Sequence, residues 1–416
     1  MLMRRMTAII VVVVLGAMST AAWGGANHWY VDPGGNDLSD GNSWDEAFAT
    51  IQKGIDKAGK GDLVKVKAGT YYETIDFKGK AITLRGTDPN SWVVVAATII
   101  DANGSGNVVT FNDKEDGNSV LEGFTIRNGD RGIYCSEASP TIARCIITSN
   151  HSRRDGAGMY NSKASPMVAN CIFSRNSSAG NGGGMYNDYS PACPMVISCV
   201  FTGNSSGDEG GGMANRHGAS PTVINCVFYH NTASDRGGGM ANEESKATII
   251  NCTFFDNSAN SGGGGIYNED DPAPELYNCI LWGNDAGNDA GEIHNRHCKP
   301  TFSYCDIEKG LNGDKCGGDD SKGRRNDNDD PEFVNSSDPN GADDTWGTSD
   351  DGLIPTEEDV VDEGDDKIVK AKGITTDIKG DPRIIGSHVD MGAYEYKYKP
   401  RSRPKRKPRS RPKPRS

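Results

Sequence analysis

A cysteine that recurs every 26 to 28 residues between about Thr141 and Ile307 constrains this chain more than any other feature. In the first six repeats an asparagine follows the cysteine by five residues, and Met or Ile follows it by fourteen. Several columns that share one period of roughly 20 to 50 residues indicate supersecondary units stacked into a solenoid. The repeated cysteines are Cys145, Cys171, Cys199, Cys226, Cys252, Cys279 and Cys305.

Each repeat contains three short apolar segments, such as Met167–Ala169, Cys171–Phe173 and Gly184–Tyr186, separated by Gly, Asn and Ser. Their length and the absence of a helical period predict an all-β fold. The unit is one coil of a parallel β-helix, with three short strands per coil and coils about 4.8 Å apart. We expect the cysteine and the apolar residues three before and two after it to point inward. The asparagines should form side-chain amide ladders that satisfy turn backbone.

Composition and local motifs divide the chain into five segments. Residues 1–26 combine Arg4, Arg5, a short apolar run and small residues, the pattern of a secretory signal peptide. This predicts a secreted or cell-surface protein with no transmembrane segment in the mature chain. Residues 27–60 form an N-terminal cap, where Ser43–Glu46 resembles a capping box before a short amphipathic helix. Residues 61–310 are the β-helix, 311–396 an acidic loop region with a closing segment, and 397–416 a basic tail.

Several motifs resemble known families. Asp62–Tyr71 and Gly79–Leu84 resemble the first coils of exported bacterial right-handed parallel β-helix proteins of the pectate-lyase-like superfamily. The resemblance covers most of residues 28–310, and it implies a right-handed solenoid but hardly specifies an activity. Residues 377–395 resemble the segment that closes these proteins, so we expect them to pack back onto the solenoid. Four tetrads resemble the FxxN repeats of polymorphic outer-membrane proteins: Phe173–Asn176, Phe201–Asn204, Phe228–Asn231 and Phe254–Asn257. Gly264–Ile266 resembles the GGxI motif of the same proteins.

Eleven cysteines in an exported protein would ordinarily indicate disulfides. In a ladder, however, neighbouring Cβ atoms lie about one coil apart and point in parallel, which is poor disulfide geometry. We therefore expect the seven repeated cysteines to be buried free thiols. Outside the ladder, Cys298 and Cys316 are the pair that we expect to bridge, if any pair does.

One loop of each repeat varies in length, and in solenoids such loops gather on one side that often binds partners. Five carboxylates there fall within one coil spacing and form a candidate Ca²⁺ site, although no cofactor is otherwise required. Two Arg-His pairs flank them and are candidate contacts for an anionic glycan. The alternative is that all these charges are merely solvated. The metal candidates are Glu243, Glu244, Glu269, Asp270 and Asp271, and the flanking candidates are Arg216, His217, Arg296 and His297.

Three further columns recur along the repeat. Tyr160, Tyr186 and Tyr267 follow the Met/Ile column by one residue, so we expect them to face outward and to stack either on sugar rings or on each other. The residue after each cysteine is also apolar, which predicts a β-branched ladder or a dry strip that meets a partner or the C-terminal segment. A column of alternating charge that includes Glu209 and Arg236 is interpreted as neutralisation between coils.

The tail at 397–416 contains 11 basic residues and no acidic one. Its Pro-rich composition predicts a disordered arm that solubilises the chain or contacts acidic polymers or surfaces. The sequence contains no recognisable catalytic triad, phosphate loop or zinc signature. It therefore favours a non-enzymatic scaffold that binds polysaccharide or another cell-surface partner. The alternatives are a polysaccharide lyase or hydrolase acting on acidic glycans, and a structural envelope protein.

Overall fold

Four parallel sheets form a solenoid in this computed structural model, which describes residues 26–287, 291–308, 326, 328–348 and 350–397. The predicted signal peptide, the basic tail beyond Lys397 and Cys316 lie outside the described residues. Each regular coil visits sheet A, sheet B, a two-residue strand of sheet D, and then sheet C. The three predicted strands per coil are therefore present, and the short sheet D is an addition that the apolar pattern did not indicate.

Sheet A has eleven strands: His28–Val31, Leu63–Val66, Thr83–Gly86, Val120–Glu122, Thr141–Ala143, Met167–Ala169, Met195–Ile197, Thr222–Ile224, Thr248–Ile250, Glu275–Tyr277 and Thr301–Ser303. Sheet B has ten: Gly69–Tyr72, Thr98–Asp101, Thr125–Arg127, Ile146–Thr148, Ile172–Ser174, Val200–Thr202, Val227–Tyr229, Thr253–Phe255, Ile280–Trp282 and Asp306–Ile307. Sheet C has nine: Ile75–Asp76, Asn107–Phe111, Arg131–Ser136, Met159–Ser162, Met185–Asp188, Met213–Arg216, Met240–Glu243, Ile266–Glu269 and Ile293–Arg296. Sheet D has six: His151–Ser152, Ser177–Ser178, Ser205–Ser206, Thr232–Ala233, Ser258–Ala259 and Asp285–Ala286.

The core consists of the columns that the repeat predicted. Val196, Cys199 and Phe201 are fully buried, and their equivalents in neighbouring coils are buried in the same way. The Phe201 ring stacks on Phe173 and on Phe228, with centroids 4.7 Å apart on each side. Every cysteine among the described residues is a free thiol, as predicted for the ladder. In the ladder, the Cys199 thiol donates to the Ile197 carbonyl at 3.2 Å.

The predicted asparagine ladder closes the turn between sheets B and D. From Asn150 to Asn257, each side-chain amide donates to the Oδ1 atom of its equivalent one coil on, for example from Asn204 to Asn231 at 2.9 Å. The last member, Asn284, donates to Glu292 instead, at 2.6 Å. The same amide nitrogen of Asn204 donates to the Phe173 carbonyl at 2.9 Å. A second ladder follows the Met/Ile column, as from Asn187 to Asn215 at 2.7 Å. These amides supply partners for buried polar groups that would otherwise cost free energy to desolvate.

A short helix, Ile51–Lys57, covers the first coil with its buried Ile51 and Ile55 side chains. The predicted capping box is wrong in position, because Thr50 is the N-cap and accepts from the Lys53 backbone. Ser43 instead accepts from the Glu46 backbone at 3.3 Å within the preceding turn. The other helices are Trp92–Ala97, inserted between a sheet A strand and a sheet B strand, and Asp366–Lys372. No helix in the described ranges is long and apolar enough to span a membrane.

Residues 328–348 and 350–397, here called the closing segment, pack along the apolar strip that follows the cysteine column. Val200 and Val227 contact a cluster that includes Tyr394, and the Ala393 backbone donates to the Thr253 hydroxyl at 3.0 Å. Ile280 lies in a second cluster with Met391. Of the two interpretations of this strip, contact with the C-terminal segment is therefore confirmed.

Candidate functional site

The variable-loop edge begins where the strands of sheet C end. Parallel register places Asp188, Arg216, Glu243, Glu269 and Arg296 in one column across successive coils. Arg216 contacts Glu243, and the Arg296 Nη1 atom lies 2.7 Å from the Glu269 Oε1 atom. The sequence thus identified residues that come together, but their charges are paired with one another.

The imidazoles on this edge are also engaged by carboxylates. His217 Nδ1 lies 2.7 Å from Asp188 Oδ1, and the His217 ring stacks on Tyr189 with centroids 4.9 Å apart. His297 Nδ1 lies 3.4 Å from Asp270 Oδ1. Both histidines have positive φ values, 51° and 56°, and each is the turn residue that directly follows its sheet C strand.

The five predicted metal ligands do not converge. The described ranges contain no group of three or more His, Cys, Asp or Glu side chains placed to hold one metal ion. Glu243 and Glu269 have guanidinium partners and Asp270 has an imidazole, while Glu244 and Asp271 are exposed. The clustering assumed from the sequence is therefore absent, and Ca²⁺ binding at this edge stays a prediction.

Two of the three candidate tyrosines, Tyr186 and Tyr267, are not available to a sugar, which corrects the expectation from strand alternation. Tyr186 is 4% exposed and Tyr267 is fully buried, while Tyr160 is half-buried. In the regular coils, the glycine-rich loop before the sheet C strand lies against the residue in this column. Gly182, at φ 63°, comes so close that an added Cβ would lie 2.8 Å from the Tyr186 Cβ. Tyr160 and Tyr186 instead pack together, with ring centroids 5.6 Å apart.

Glu209 is a buried acidic residue in the loop before sheet C. The sequence indicated it only as a member of the column of alternating charge. Glu209 is 6% exposed, and its Oε1 atom lies 3.5 Å from Arg236 Nη1. Arg236 also donates to the Tyr267 hydroxyl at 3.0 Å. Burial raises the pKa of Glu209 to about 7, against the opposing effect of the charge on Arg216. These contacts agree with neutralisation between coils.

A cleft of about 410 Å³ lies between the coils and the closing segment, and sequence reasoning missed it. Trp92, at the start of the inserted helix, and Trp346, in the closing segment, both line it. Arg144, Asn170 and Ser198 also line it. In each regular coil, one left-handed turn residue connects the sheet A strand to the sheet B strand, and we call the column of these residues the A–B row. Arg144, Asn170 and Ser198 belong to this row, with φ values of 50°, 51° and 50°.

The A–B row is used differently inside and outside the cleft. Beneath the closing segment, Asn225 Nδ2 donates to the Thr376 carbonyl at 2.7 Å, and the Asp365 backbone donates to Asn278 Oδ1 at 2.8 Å. In the cleft, the side chains of Asn170 and Ser198 are half-exposed and have no hydrogen-bond partner among the described residues. The cleft therefore presents polar groups that the fold does not use.

The cations that line the cleft are already held by carboxylates. Arg144 Nη1 lies 2.8 Å from Glu122 Oε1, and Arg85 Nε lies 3.1 Å from the other oxygen of Glu122. Lys379 Nζ lies 3.5 Å from Asp381 and 3.9 Å from the buried Asp377. Neither cation is an isolated charge directed at a ligand.

Comparison with known proteins bears on the fold more than on this site. The Chlamydia polymorphic membrane protein repeat matches residues 251–269. The uncharacterized protein YwoF of Bacillus subtilis (strain 168) is 29% identical over 161 residues, which are 36% of this chain and 33% of that protein. The chain thus spans about a third of the length of this curated relative.

Solved structures extend the comparison to most of the chain. Pectate lyase Pel9A superimposes with a TM-score of 0.52 at 14% identity, covering 89% of this chain and 97% of that one. Pectin methylesterase from carrot superimposes with a TM-score of 0.42 at 12% identity, covering 72% and 87%. At this identity the likeness to Pel9A shows the fold alone. The chain is a parallel β-helix protein with the pectate lyase fold, in which residues 251–269 also match the polymorphic membrane protein repeat.

Proposed function

We propose that the protein is a secreted or cell-surface β-helix scaffold that binds polysaccharide without cleaving it. The binding site is the cleft lined by Trp92 and Trp346. The observation that carries the proposal is the partly exposed Trp92 indole beside the unused side chains of Asn170 and Ser198. Trp346 is 8% exposed and packs against Tyr229, with ring centroids 5.8 Å apart, so it contributes to the wall of the cleft. Aromatic faces stack on the apolar faces of sugar rings, and a few placed polar groups then fix orientation by pairing with hydroxyls.

A glycan array followed by calorimetry on the best glycan tests this proposal. We expect wild-type protein to bind, and Trp92→Ala to weaken binding at least tenfold. Trp44→Ala is the matched control, because Trp44 is exposed and packs against Tyr30 in the N-terminal cap, outside the cleft. Binding that Trp92→Ala leaves unchanged would place the glycan elsewhere. A complete absence of binding would favour the structural envelope role.

A second candidate, a lyase or hydrolase of acidic glycans, is favoured by the contact between His217 and Asp188. When Nδ1 carries the proton that Asp188 accepts, Nε2 is left to act as a general base. Against this candidate, Arg216 and Arg296, which could neutralise a uronate, are paired with Glu243 and Glu269. An ultraviolet assay for unsaturated uronate products, with His217→Gln as the inactive control, would distinguish the enzyme from the scaffold.

A further inference from the structure

We infer that the cleft binds a short neutral oligosaccharide, or the end of a neutral glycan chain, that spans the three coils of Arg144, Asn170 and Ser198. This inference rests on the proposed function and deepens it by defining the length and the charge of the ligand. Two observations support it. The three row positions Arg144, Asn170 and Ser198, here called the open row, are closed off at both ends by other parts of the chain. The basic side chains that line the cleft are paired with carboxylates.

At its N-terminal end the open row stops at Gly123. Gly123 precedes Arg144 in the A–B row, since the strands before them pair in register. Pro89 lies directly on it: a Cβ added to Gly123 would be 2.8 Å from the Pro89 Cβ. No ligand atom can therefore occupy the position above Gly123 while Pro89 keeps this place.

At its C-terminal end the open row stops at Asn225. Its side-chain amide donates a 2.7 Å hydrogen bond to the Thr376 carbonyl, so this amide is not available to donate to a ligand. Between these two ends lie three row positions, about 10 Å from the first to the third at the spacing of stacked coils. A linear glycan that follows the row can place only a few units in the cleft. The cleft volume of about 410 Å³ also falls among the smaller ligand sites.

The charges favour a neutral ligand. Arg144 and Lys379 are engaged by Glu122, Asp377 and Asp381, so a uronate would have to compete with these carboxylates. Beyond the cleft, residues 1–396 carry 33 Lys and Arg against 57 Asp and Glu, a net charge of −24, because 11 of the basic residues lie at 397–416. This part of the chain is therefore expected to repel polyanions.

Calorimetry on the full chain with neutral gluco-, manno- and xylo-oligosaccharides of one to six units, and with oligogalacturonates of equal length, tests the inference. For the best neutral series we expect affinity to rise at least tenfold from one unit to three and less than twofold beyond. We expect no dependence on ionic strength, and weaker binding of every oligogalacturonate. Asn170→Gly and Ser198→Gly remove the polar groups without straining a left-handed residue and should each weaken the trimer.

Affinity that keeps rising to six units, or tighter binding of oligogalacturonates that Trp92→Ala weakens, would overturn this inference and leave the proposed function standing. Acidic binding that is lost in salt but unchanged in Trp92→Ala belongs to the basic tail and leaves the neutral preference of the cleft intact. If no neutral or acidic glycan binds, in this series or on the array, the proposed function falls and the inference falls with it.

Discussion

The side-chain amide of Asn225 donates a 2.7 Å hydrogen bond to the carbonyl oxygen of Thr376, which lies 151 residues further along the chain. Asn225 is a turn residue of the repeat, whereas Thr376 belongs to the closing segment, which has no repeat at all. Their contact places the closing segment over this position of the A–B row. It therefore also fixes where the cleft ends.

Replacing a stacked core phenylalanine should destabilise the solenoid strongly. Phe228 is fully buried between Phe201 and Phe254, with ring centroids 4.7 and 4.5 Å away. We expect Phe228→Ala to lower the free energy of unfolding by about 3–5 kcal/mol in urea melts. Phe228→Leu is the matched control, since Leu281 occupies the same column, and should cost less than about 1.5 kcal/mol. Equal losses for the two variants would show that ring stacking contributes more than buried volume.

The cysteine ladder should react only after unfolding. Its thiols are buried, and burial raises the pKa of Cys145 well above the usual range, which suppresses the reactive thiolate. We expect at least seven reactive thiols in denatured, unreduced protein. Cys193 is the one exposed cysteine among the described residues, so in native Cys193→Ser protein we expect little reaction of the other described cysteines. One or two thiols after denaturation would mean that the ladder is disulfide-bonded.

The closing segment should hold less firmly as the pH rises. Burial raises the pKa of Asp351 and of Asp390 to about 6, and that of Glu395 to about 9. A carboxyl group whose folded pKa is raised contributes its stability fully below the unfolded pKa, and this is lost as the pH rises through the folded pKa. We expect intrinsic-rate-corrected hydrogen exchange across residues 374–396 to be slower at pH 5 than at pH 8. Asp351→Asn should reduce that difference, and faster exchange at pH 5 would contradict the prediction.

Calcium binding at the variable loops stays a prediction, and the ion pairs there limit its strength. Glu243 and Glu269 would have to leave Arg216 and Arg296 to become ligands. We therefore expect half-saturation at about 1 mM or weaker, the affinity range of weak extracellular sites. A Glu244→Ala, Asp270→Ala double variant should lose the calorimetric signal. Identical titrations of the variant and the wild type would exclude this edge.

The core could be predicted because its positions recur. Cys199, Phe201 and Asn204 each belong to a column repeated from coil to coil, so period and alternation were sufficient to place them. Tyr186 was wrongly predicted to be exposed. Alternation along a strand indicates which side of the sheet a residue faces, but it does not indicate whether another segment covers that side. Here a glycine loop covers it, with Gly182 in a conformation that allows very close approach.

The candidate site could not be predicted, because it is formed by the non-repeating parts of the chain. Trp92 lies in an insertion before the regular repeats, and Trp346 lies in the segment after them. No pattern in the sequence places these residues beside Asn170. Their proximity depends on how the closing segment docks, which is set by single contacts such as the one between Ala393 and Thr253.

The open row between Pro89 and Thr376 has a consequence for how such a chain can change. Every regular coil contributes one turn residue to the row, and a solenoid can gain or lose whole repeats of 26 to 28 residues. One more coil between Gly123 and Asn225 would lengthen the cleft by about 5 Å without altering its walls in kind. The length of ligand that the cleft accommodates therefore depends on the number of repeats between its two ends. Duplication of a repeat can change that length without any new kind of side chain.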